Sequence, residues 1–288
     1  MKTPFILYSK VSKMKGCKKV MRITILVDNN TFIDKYYFGE SALSMMIEIE
    51  NEKILFDMGY SDIFLKNSQI KGVNLDETTK IVFSHGHNDH TRGMSFLPKS
   101  SGLFGKPIYA HPLFWNSKRF EKLDIGAPKN IDWLGDRFDL RLQKEPVKLT
   151  NKLWYLGEID QYTDFEKREA IGENFVNNQW QADYVFDDTA MAYETKEGLF
   201  IITGCSHSGI ANICEHAKKV TGNNKILGII GGFHLFDLDE RLEKTVEYFQ
   251  NNNMTQLYPS HCVSFKAKAY INQFIDVEEV GVGLEINV

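Results

Sequence analysis

The sequence predicts an α/β fold, because short apolar strands alternate with amphipathic helices along the chain. The alternation is most regular in the second half, where strands at 226–230 and 257–259 are each followed by a helix. Six of the eight histidines follow a predicted strand, the position where sheets of this class place binding residues. The 288 residues suit one large domain or two small ones with a sizeable core.

The N-terminal half is predicted to be rich in strands, because its apolar runs are short and are separated by polar turns. Residues 1–20 precede the first regular strand and are interpreted as a tail or an overlong start. The basic cluster between Lys10 and Arg22 therefore suits a flexible tail better than a nucleic-acid site. Strands are predicted at 22–27, 44–49, 53–57, 80–84 and 107–110, with helices at 62–68 and 91–96.

The segment from about 114 to 188 lacks a clear period and is interpreted as an insertion or lid, with one strand predicted at 152–156. Its aromatic side chains form either a satellite core or part of a substrate pocket that stacks a flat ring. These aromatic residues are Phe114, Trp115, Trp133, Trp180 and Tyr184.

Periodicity returns after residue 188. A hairpin is predicted from strands at 191–194 and 199–203, because a Lys-Glu-Gly turn separates them. The remaining elements are predicted as a helix at 208–220, a strand at 226–230, a helix at 239–251, a strand at 257–259 and a helix at 265–274.

Composition excludes several classes of protein. The chain is 43% hydrophobic and 25% charged, which is near the globular average, and its net charge of −4 offers no general attraction to nucleic acid or anionic membrane. No apolar stretch approaches the ~18 residues of a spanning helix, and the apolar run at 4–8 is too short for a signal peptide. The four cysteines show no Cys-x-x-Cys spacing. We therefore expect a reduced, cytoplasmic protein with a small-molecule substrate and no nucleic-acid or membrane partner.

The most informative motif is Ser84-His85-Gly86-His87-Asn88-Asp89-His90, which directly follows the apolar run at 80–83. Three imidazoles and a carboxylate within six positions are typical ligands of Zn²⁺, Fe and Mn. A solvated histidine-rich turn is the alternative. It is disfavoured because three later strands also end in histidine-containing turns: Gly204-Cys205-Ser206-His207, Gly231-Gly232-Phe233-His234 and Ser260-His261-Cys262.

The motif His85-x-His87-x-Asp89-His90 resembles the hallmark of the metallo-β-lactamase superfamily, which implies a four-layer αβ/βα sandwich and a single domain over 21–288. Within it, the chain is similar to the branch of metal-dependent hydrolases related to 7,8-dihydropterin-6-methyl-4-(β-D-ribofuranosyl)-aminobenzene-5'-phosphate synthase. The segments that carry this likeness are 26–30, 54–59, 204–210, 231–235 and 259–262.

The resemblance implies one or two metal ions, with zinc expected first and iron or manganese as alternatives. It places His85 and His87 on the first ion, and Asp89, His90 and His261 on the second. The sequence departs from better-known members, which carry a bridging Asp at the position of Cys205.

The remaining ligand is therefore left open between three residues. His207 is preferred over His234, and Cys205 as a thiolate ligand comes last. Asp57 is expected to orient a ligand imidazole instead of binding metal. The two other histidines have no metal context: His111 is expected at a structural or pocket-edge position, and His216 on a solvated helix face.

Asp89 and His90 are the predicted catalytic residues. A divalent metal lowers the pKa of bound water toward about 7, so the principal hypothesis is a hydrolase acting on a phosphorylated or ester/lactone-type metabolite. Asp89 would orient the hydroxide and pass a proton to the leaving group. The alternative is a transferase that condenses a pterin pyrophosphate with an arylamine. A non-catalytic or redox metal-binding role is the third hypothesis.

Overall fold

The computed structural model describes residues 21–128 and 136–288. The predicted tail at 1–20, including Cys17, and Trp133 lie outside the described residues. The strands are β1 (Arg22–Val27), β2 (Ser44–Ile49), β3 (Glu52–Phe56), β4 (Lys80–Val82), β5 (Pro107–Ala110), β6 (Lys118–Phe120), β7 (Leu123–Asp124), β8 (Asp139–Leu142), β9 (Val147–Lys148), β10 (Leu153–Tyr155), β11 (Glu173–Val176), β12 (Gln179–Ala182), β13 (Ala190–Glu194), β14 (Leu199–Thr203), β15 (Ile226–Gly231), β16 (Gln256–Pro259) and β17 (Glu285–Asn287).

Capping residues determine where several helices begin and end. Gly72 ends the first helix in a left-handed conformation, and the side chains of Asp239 and Ser264 cap the last two helices by accepting backbone hydrogen bonds. Within the described ranges, no helix is long and apolar enough to cross a membrane. The helices are α1 (Ile63–Lys71), α2 (Asn88–Thr91), α3 (Ile210–Thr221), α4 (Glu240–Asn251) and α5 (Phe265–Ile271).

Two large sheets dominate the fold. The first has the strand order β17-β1-β2-β3-β4-β5-β8, and the second has the order β16-β15-β14-β13-β10-β9. Strands β3, β4, β5 and β8 run parallel in the first sheet, as do β14, β15 and β16 in the second. The carboxyl ends of β14, β15 and β16 therefore lie at one edge of the second sheet, and those of β3 and β4 at one edge of the first.

The core shows that the sheets pack face to face with helices outside. Along β14, Phe200 and Ile202 join the central cluster shared with the first sheet, whereas Leu199 and Ile201 join an outer cluster with α3, α4 and α5. A third cluster lies between the first sheet and α1. Full burial of a side chain such as Phe200 contributes about 1.5–3 kcal/mol. This arrangement is a four-layer αβ/βα sandwich, and the predicted fold class is confirmed.

The prediction from sequence is least complete between residues 114 and 188. Strands β6, β7, β11 and β12 form a small antiparallel sheet there that periodicity did not indicate. Their residues are mostly polar and partly exposed, so they show little apolar alternation. The interpretation of this segment as an insertion or lid stays a prediction.

The aromatic residues of that segment divide between two environments. Phe114 and Trp115 pack in the outer core of the first sheet, as a satellite core requires. Trp180 packs against Phe175 and under the Arg119 guanidinium on the small sheet. Tyr184 is exposed next to Phe186. None of these described aromatic residues lines the cavity at the metal cluster.

Candidate metal centre

The first cluster of candidate ligands consists of His85, His87 and His207, whose ligand atoms all lie within 4.8 Å of one another. His85 Nε2 lies 3.0 Å from His87 Nδ1 and 3.2 Å from His207 Nε2. Burial lowers the pKa of His85 and His207 well below the ordinary value and that of His87 to about 4. All three imidazoles are therefore neutral at pH 7, the form that binds metal.

The second cluster consists of Asp89, His90, Cys205 and His261, also within 4.8 Å of one another. His90 Nε2 lies 3.2 Å from Cys205 Sγ and 3.5 Å from Asp89 Oδ2. His261 Nε2 lies 3.2 Å from the same Asp89 oxygen. Burial raises the pKa of the Cys205 thiol, and a coordinated divalent ion would deprotonate it.

Asp57 orients His90 from behind. Its Oδ2 lies 2.7 Å from His90 Nδ1, and its carboxylate also accepts hydrogen bonds from the backbone N–H and hydroxyl of Ser84. Burial alone would lower the pKa of His90, but the carboxylates of Asp89 and Asp57 raise it to about 9. The geometry therefore leaves Nε2 of His90 facing the cluster, as expected for an imidazole held by a carboxylate.

We expect Asp57→Ala to weaken metal binding at the second cluster about 10–100-fold, because His90 would lose the partner that fixes its ring. Competition with a metallochromic chelator measures this affinity. Asp62→Ala, which removes an exposed carboxylate paired with Lys66, is the matched control and should leave the affinity unchanged. Unaltered affinity in Asp57→Ala would show that Asp57 does not position His90.

His261 is held in the same way by the loop after β1. Its backbone N–H donates to Asp28 Oδ2 at 2.9 Å, and its Nδ1 lies 3.0 Å from Asn29 Oδ1. His261 has a φ of 50°, a left-handed conformation that a non-glycine residue adopts only when its surroundings impose it. This loop thus links the first sheet to the ligand after β16.

A buried pair of aspartates fixes the two main ligand loops. Asp187 Oδ2 accepts a hydrogen bond of 2.7 Å from the backbone N–H of Gly86, between His85 and His87. Asp188 Oδ2 accepts from the backbone N–H of Ser208 at 2.9 Å and from its hydroxyl, next to His207. Two adjacent residues therefore position both halves of the first cluster.

Lys118 neutralises Asp187 together with a third buried aspartate, Asp183. Its Nζ lies 2.8 Å from Asp187 Oδ1 and 2.8 Å from Asp183 Oδ2, and its side chain is fully buried. Burial alone would lower the pKa of Lys118, but these carboxylates raise it above the ordinary value. A Cβ on Gly86 would collide with the Phe114 carbonyl oxygen, so glycine is required where the loop passes this network.

The donor set fits divalent metal ions. His87 Nε2 and His207 Nδ1 are buried and have no hydrogen-bond partner among the described residues. In addition, Nε2 of His207 and Nε2 of His85 face each other at 3.2 Å. Such groups are costly in a protein interior unless another partner satisfies them. Histidine, carboxylate and cysteine together are ligands that zinc accepts.

Sequence reasoning named all seven members of the two clusters and assigned one of them, Cys205, differently. His207 lies with His85 and His87, in the position preferred for it. Cys205, ranked last, lies in the second cluster and not in the first. His234 belongs to neither cluster, although its ring centroid is 4.6 Å from that of His207 and it lines the adjacent cavity. The assignment of these residues as metal ligands stays a prediction.

We expect His234→Ala to retain the metal content of the unmodified protein, because its ring is outside both clusters. Elemental analysis of protein purified without added metal measures this, with His207→Ala as the paired variant that loses about one ion. Loss of an ion in His234→Ala would place that residue in the ligand set.

The two remaining histidines are structural. His111 Nε2 donates to Glu158 Oε2 at 2.9 Å, and His111 Nδ1 accepts from the backbone N–H of Leu113. The prediction that His216 is solvated is wrong: its residue is 5% exposed and its Nε2 donates to the Leu156 carbonyl oxygen at 3.1 Å. Residue spacing placed His216 on α3 but did not show that the loop after β10 covers it.

A cavity of about 620 Å³ opens beside both clusters. One wall is apolar, and among the described residues that line the cavity there is no lysine or arginine. The β6–β7 hairpin forms part of this wall and is tied to the ligand loop, because the backbone N–H of Asn88 donates to the Ile125 carbonyl oxygen at 2.8 Å. The apolar residues of the wall are Phe120, Leu123, Ile125, Ile171 and Phe236.

Several residues that support the site were not assigned roles from the sequence. Asp28 and Asn29 lie in a segment that contributed to the family resemblance, so a signal for them existed. Lys118, Asp187 and Asp188 had none, because only the folded chain brings them to the ligand loops.

Comparison with known proteins assigns the family. Residues 38–147 match the family model described as the metallo-beta-lactamase superfamily. A protein of Methanocaldococcus jannaschii named 7,8-dihydropterin-6-methyl-4-(beta-D-ribofuranosyl)-aminobenzene-5'-phosphate synthase is 32% identical over an alignment of 273 positions, which covers 89% of this chain and 91% of that protein. This chain belongs to the metallo-β-lactamase superfamily. It lies in the branch that contains this synthase, so metal binding and enzymatic activity in general are supported.

Further relatives agree with this assignment. An uncharacterized protein of the same archaeon is 33% identical over 253 residues, covering 87% of this chain and 94% of its own length. The crystal structure of Tm1679, described as a metal-dependent hydrolase of the β-lactamase superfamily, matches with a TM-score of 0.79 and 27% identity over 93% of this chain and 99% of that chain. The metallo-β-lactamase fold protein YhfI of Bacillus subtilis, at 13% identity and a TM-score of 0.58 over 94% of this chain and all of its own, shows the shared fold.

The principal hypothesis from the sequence, a hydrolase of a phosphorylated or ester/lactone-type metabolite, is wrong. The curated relative that is 32% identical over most of the chain is named as a synthase, and hydrolysis is supported only at the level of the superfamily. The metal ligands did not distinguish the two, because the same ions can activate water or neutralise a leaving group.

Proposed function

We propose that this protein is a metal-dependent transferase that condenses a dihydropterin diphosphate with a phosphorylated arylamine. The observation that carries the proposal is the 32% identity, over 89% of the chain, to the archaeal synthase. The product in that name joins a dihydropterin, through its 6-methyl carbon, to an aminobenzene bearing a ribofuranosyl 5'-phosphate. A small-molecule substrate of this kind also agrees with the acidic net charge of −4.

We assign His85, His87 and His207 to one ion, and the cluster of Asp89, His90, Cys205 and His261 to a second. Zinc suits this mixture of imidazole, carboxylate and thiolate, whereas iron and manganese are alternative outcomes of metal analysis. A divalent ion bound there would supply positive charge that neutralises a diphosphate and favours its departure.

The reaction is a substitution at the 6-methylene carbon of the pterin. The lone pair of the arylamine nitrogen forms the new C–N bond, while the C–O bond to the diphosphate breaks and its electron pair leaves with the diphosphate. The nitrogen then releases one proton to solvent. The enzyme must therefore hold the amine in line with the breaking bond, which is a problem of positioning.

The cavity supplies that positioning. Asp89 lies on its wall with a partly exposed carboxylate, from which it can accept a hydrogen bond from the amine and fix its orientation. Phe120, Leu123 and Ile171 come from the 114–188 segment and line the cavity. Bound substrate rings that pack on these apolar side chains would displace water from them, which would protect the diphosphate from hydrolysis while the amine attacks.

Release of diphosphate, measured with and without the arylamine, tests this function. We expect release from 6-hydroxymethyl-7,8-dihydropterin diphosphate to require both the metal-loaded protein and 4-(β-D-ribofuranosyl)aminobenzene 5'-phosphate. Release at the same rate without the amine would identify a hydrolase and contradict the proposal. The same protein stripped with a chelator is the control for metal dependence.

A further inference from the structure

A second cavity of about 480 Å³ adjoins the one at the metal centre. It lies between the 164–169 segment and the chain from β15 into α4. His234 and Phe236 line both cavities, so these two residues form a shared wall. A ligand in the second cavity therefore lies next to the cavity at the metal centre.

Arg241, in the first turn of α4, lines the second cavity. Its Nε is buried and has no hydrogen-bond partner, and its guanidinium makes no ion pair with any residue in the described part of the chain. Its positive charge acts on His234 and on the buried carboxyl of Glu166, so it lies near the shared wall. A partly buried guanidinium without an acceptor is costly, and an anionic ligand would satisfy it.

The other charges around Arg241 limit the kind of anion. Lys244 pairs with Glu240 at 2.8 Å, and the Asp239 carboxylate accepts from the backbone N–H of Leu242 at 2.9 Å. The remaining charged lining residues are one lysine and three carboxylates, Lys167, Asp164, Glu169 and Asp237, so acidic side chains outnumber basic ones five to three around the cavity. This net negative lining disfavours a polyanion, and it restricts binding to one phosphomonoester that the Arg241 guanidinium contacts directly in a bidentate manner.

The two cavities are therefore complementary in character. The cavity at the metal centre has an apolar wall and no lysine or arginine among its described lining residues, whereas the second holds an unpaired guanidinium. An acceptor that has an aromatic amine at one end and a phosphate at the other matches both.

We propose that the second cavity is the acceptor subsite, in which Arg241 binds the phosphate of the arylamine while the ring passes Phe236 and the amine enters the cavity at the metal centre. This inference rests on the proposed transferase function, because it assigns an orientation to the second substrate of that reaction. In this arrangement Arg241 binds the phosphate and does not contact the atoms that form the new bond.

Calorimetric titration of the metal-loaded protein with 4-(β-D-ribofuranosyl)aminobenzene 5'-phosphate tests the subsite without turnover. We expect Arg241→Gln to raise its Kd about 10–100-fold, the loss typical of a hydrogen bond to a charged group. The Kd of the same compound without its phosphate should stay unchanged. Arg141→Gln, which removes an exposed arginine on β8, is the matched control.

Equal affinity of unmodified protein for the phosphorylated and unphosphorylated compounds would overturn the subsite, as would unchanged phosphate preference in Arg241→Gln. If that variant melts below the unmodified protein, Arg241→Lys replaces it, and its phosphate preference must fall below that of the unmodified protein. Phosphate-dependent binding that is lost in the variant, together with no condensation, would support the subsite and reject the transferase. Condensation without any preference for the phosphorylated compound would reject the subsite and support the transferase.

Discussion

Replacement of His85 with alanine is expected to remove about one metal ion per chain and to reduce condensation about 10³-fold or more. His85 Nε2 lies within 3.2 Å of ring nitrogens of both His87 and His207, so it is central to the first cluster. The charge stabilisation supplied by a metal ion is worth several kcal/mol in the transition state, and each 1.36 kcal/mol is a factor of ten in rate. Elemental analysis and steady-state rates measure the two effects.

The metal content of His234→Ala provides the control for this experiment, since that imidazole lies close to the cluster without belonging to it. Full metal content together with full turnover in His85→Ala would contradict the assignment of the first cluster.

Replacement of Lys118 with methionine is expected to cost about 3–5 kcal/mol of unfolding free energy, which lowers the Tm by roughly 5–8 °C. Methionine has a similar length, so the main loss is the charge that neutralises Asp183 and Asp187. Because Asp187 also holds the backbone of Gly86, we expect weaker metal binding as well. Differential scanning calorimetry with and without added zinc measures both consequences.

Two further variants separate charge from packing. Lys148→Met removes an exposed lysine and should leave the Tm nearly unchanged. Asp183→Asn, added to Lys118→Met, removes one of the two unpaired carboxylates and should recover part of the lost stability. No recovery in the double variant, or a normal Tm in Lys118→Met, would contradict the view that this buried charge balance supports the site.

The sequence predicted those features that depend on local pattern. The strands at 22–27, 44–49 and 107–110 were predicted with their observed bounds, because apolar residues there are contiguous and their ends carry polar turns. The histidine-rich ligand loop was found because its ligands are adjacent in sequence. Helix ends shifted by a few residues where a cap, such as Gly72, determines the terminus.

Features that depend on tertiary contacts were not predicted. Asp187 lies 101 positions from Gly86, and Lys118 lies 69 positions from Asp187, so no local pattern links them. The strands β11 and β12 pair with each other and with β6 through polar, half-exposed residues, which removes the usual alternation. The role of each of these side chains depends on the group it contacts, and those contacts form only in the folded chain.

Cys205 shows the same limit for the site. Its position suggested a missing bridge between two ions, yet its sulfur lies 3.2 Å from His90 Nε2 in the second cluster. The loop after β14 brings both Cys205 and His207 to the centre, one to each cluster. Residue spacing alone could not separate these two destinations.

Formation of the C–N bond tests the central claim most directly. We would incubate the metal-loaded protein with 6-hydroxymethyl-7,8-dihydropterin diphosphate and the ¹⁵N-labelled phosphorylated arylamine, and identify the products by mass spectrometry. The transferase account predicts one labelled conjugate for each diphosphate released, and neither product from chelator-treated protein. Diphosphate release that yields 6-hydroxymethyl-dihydropterin and unreacted labelled amine would contradict it.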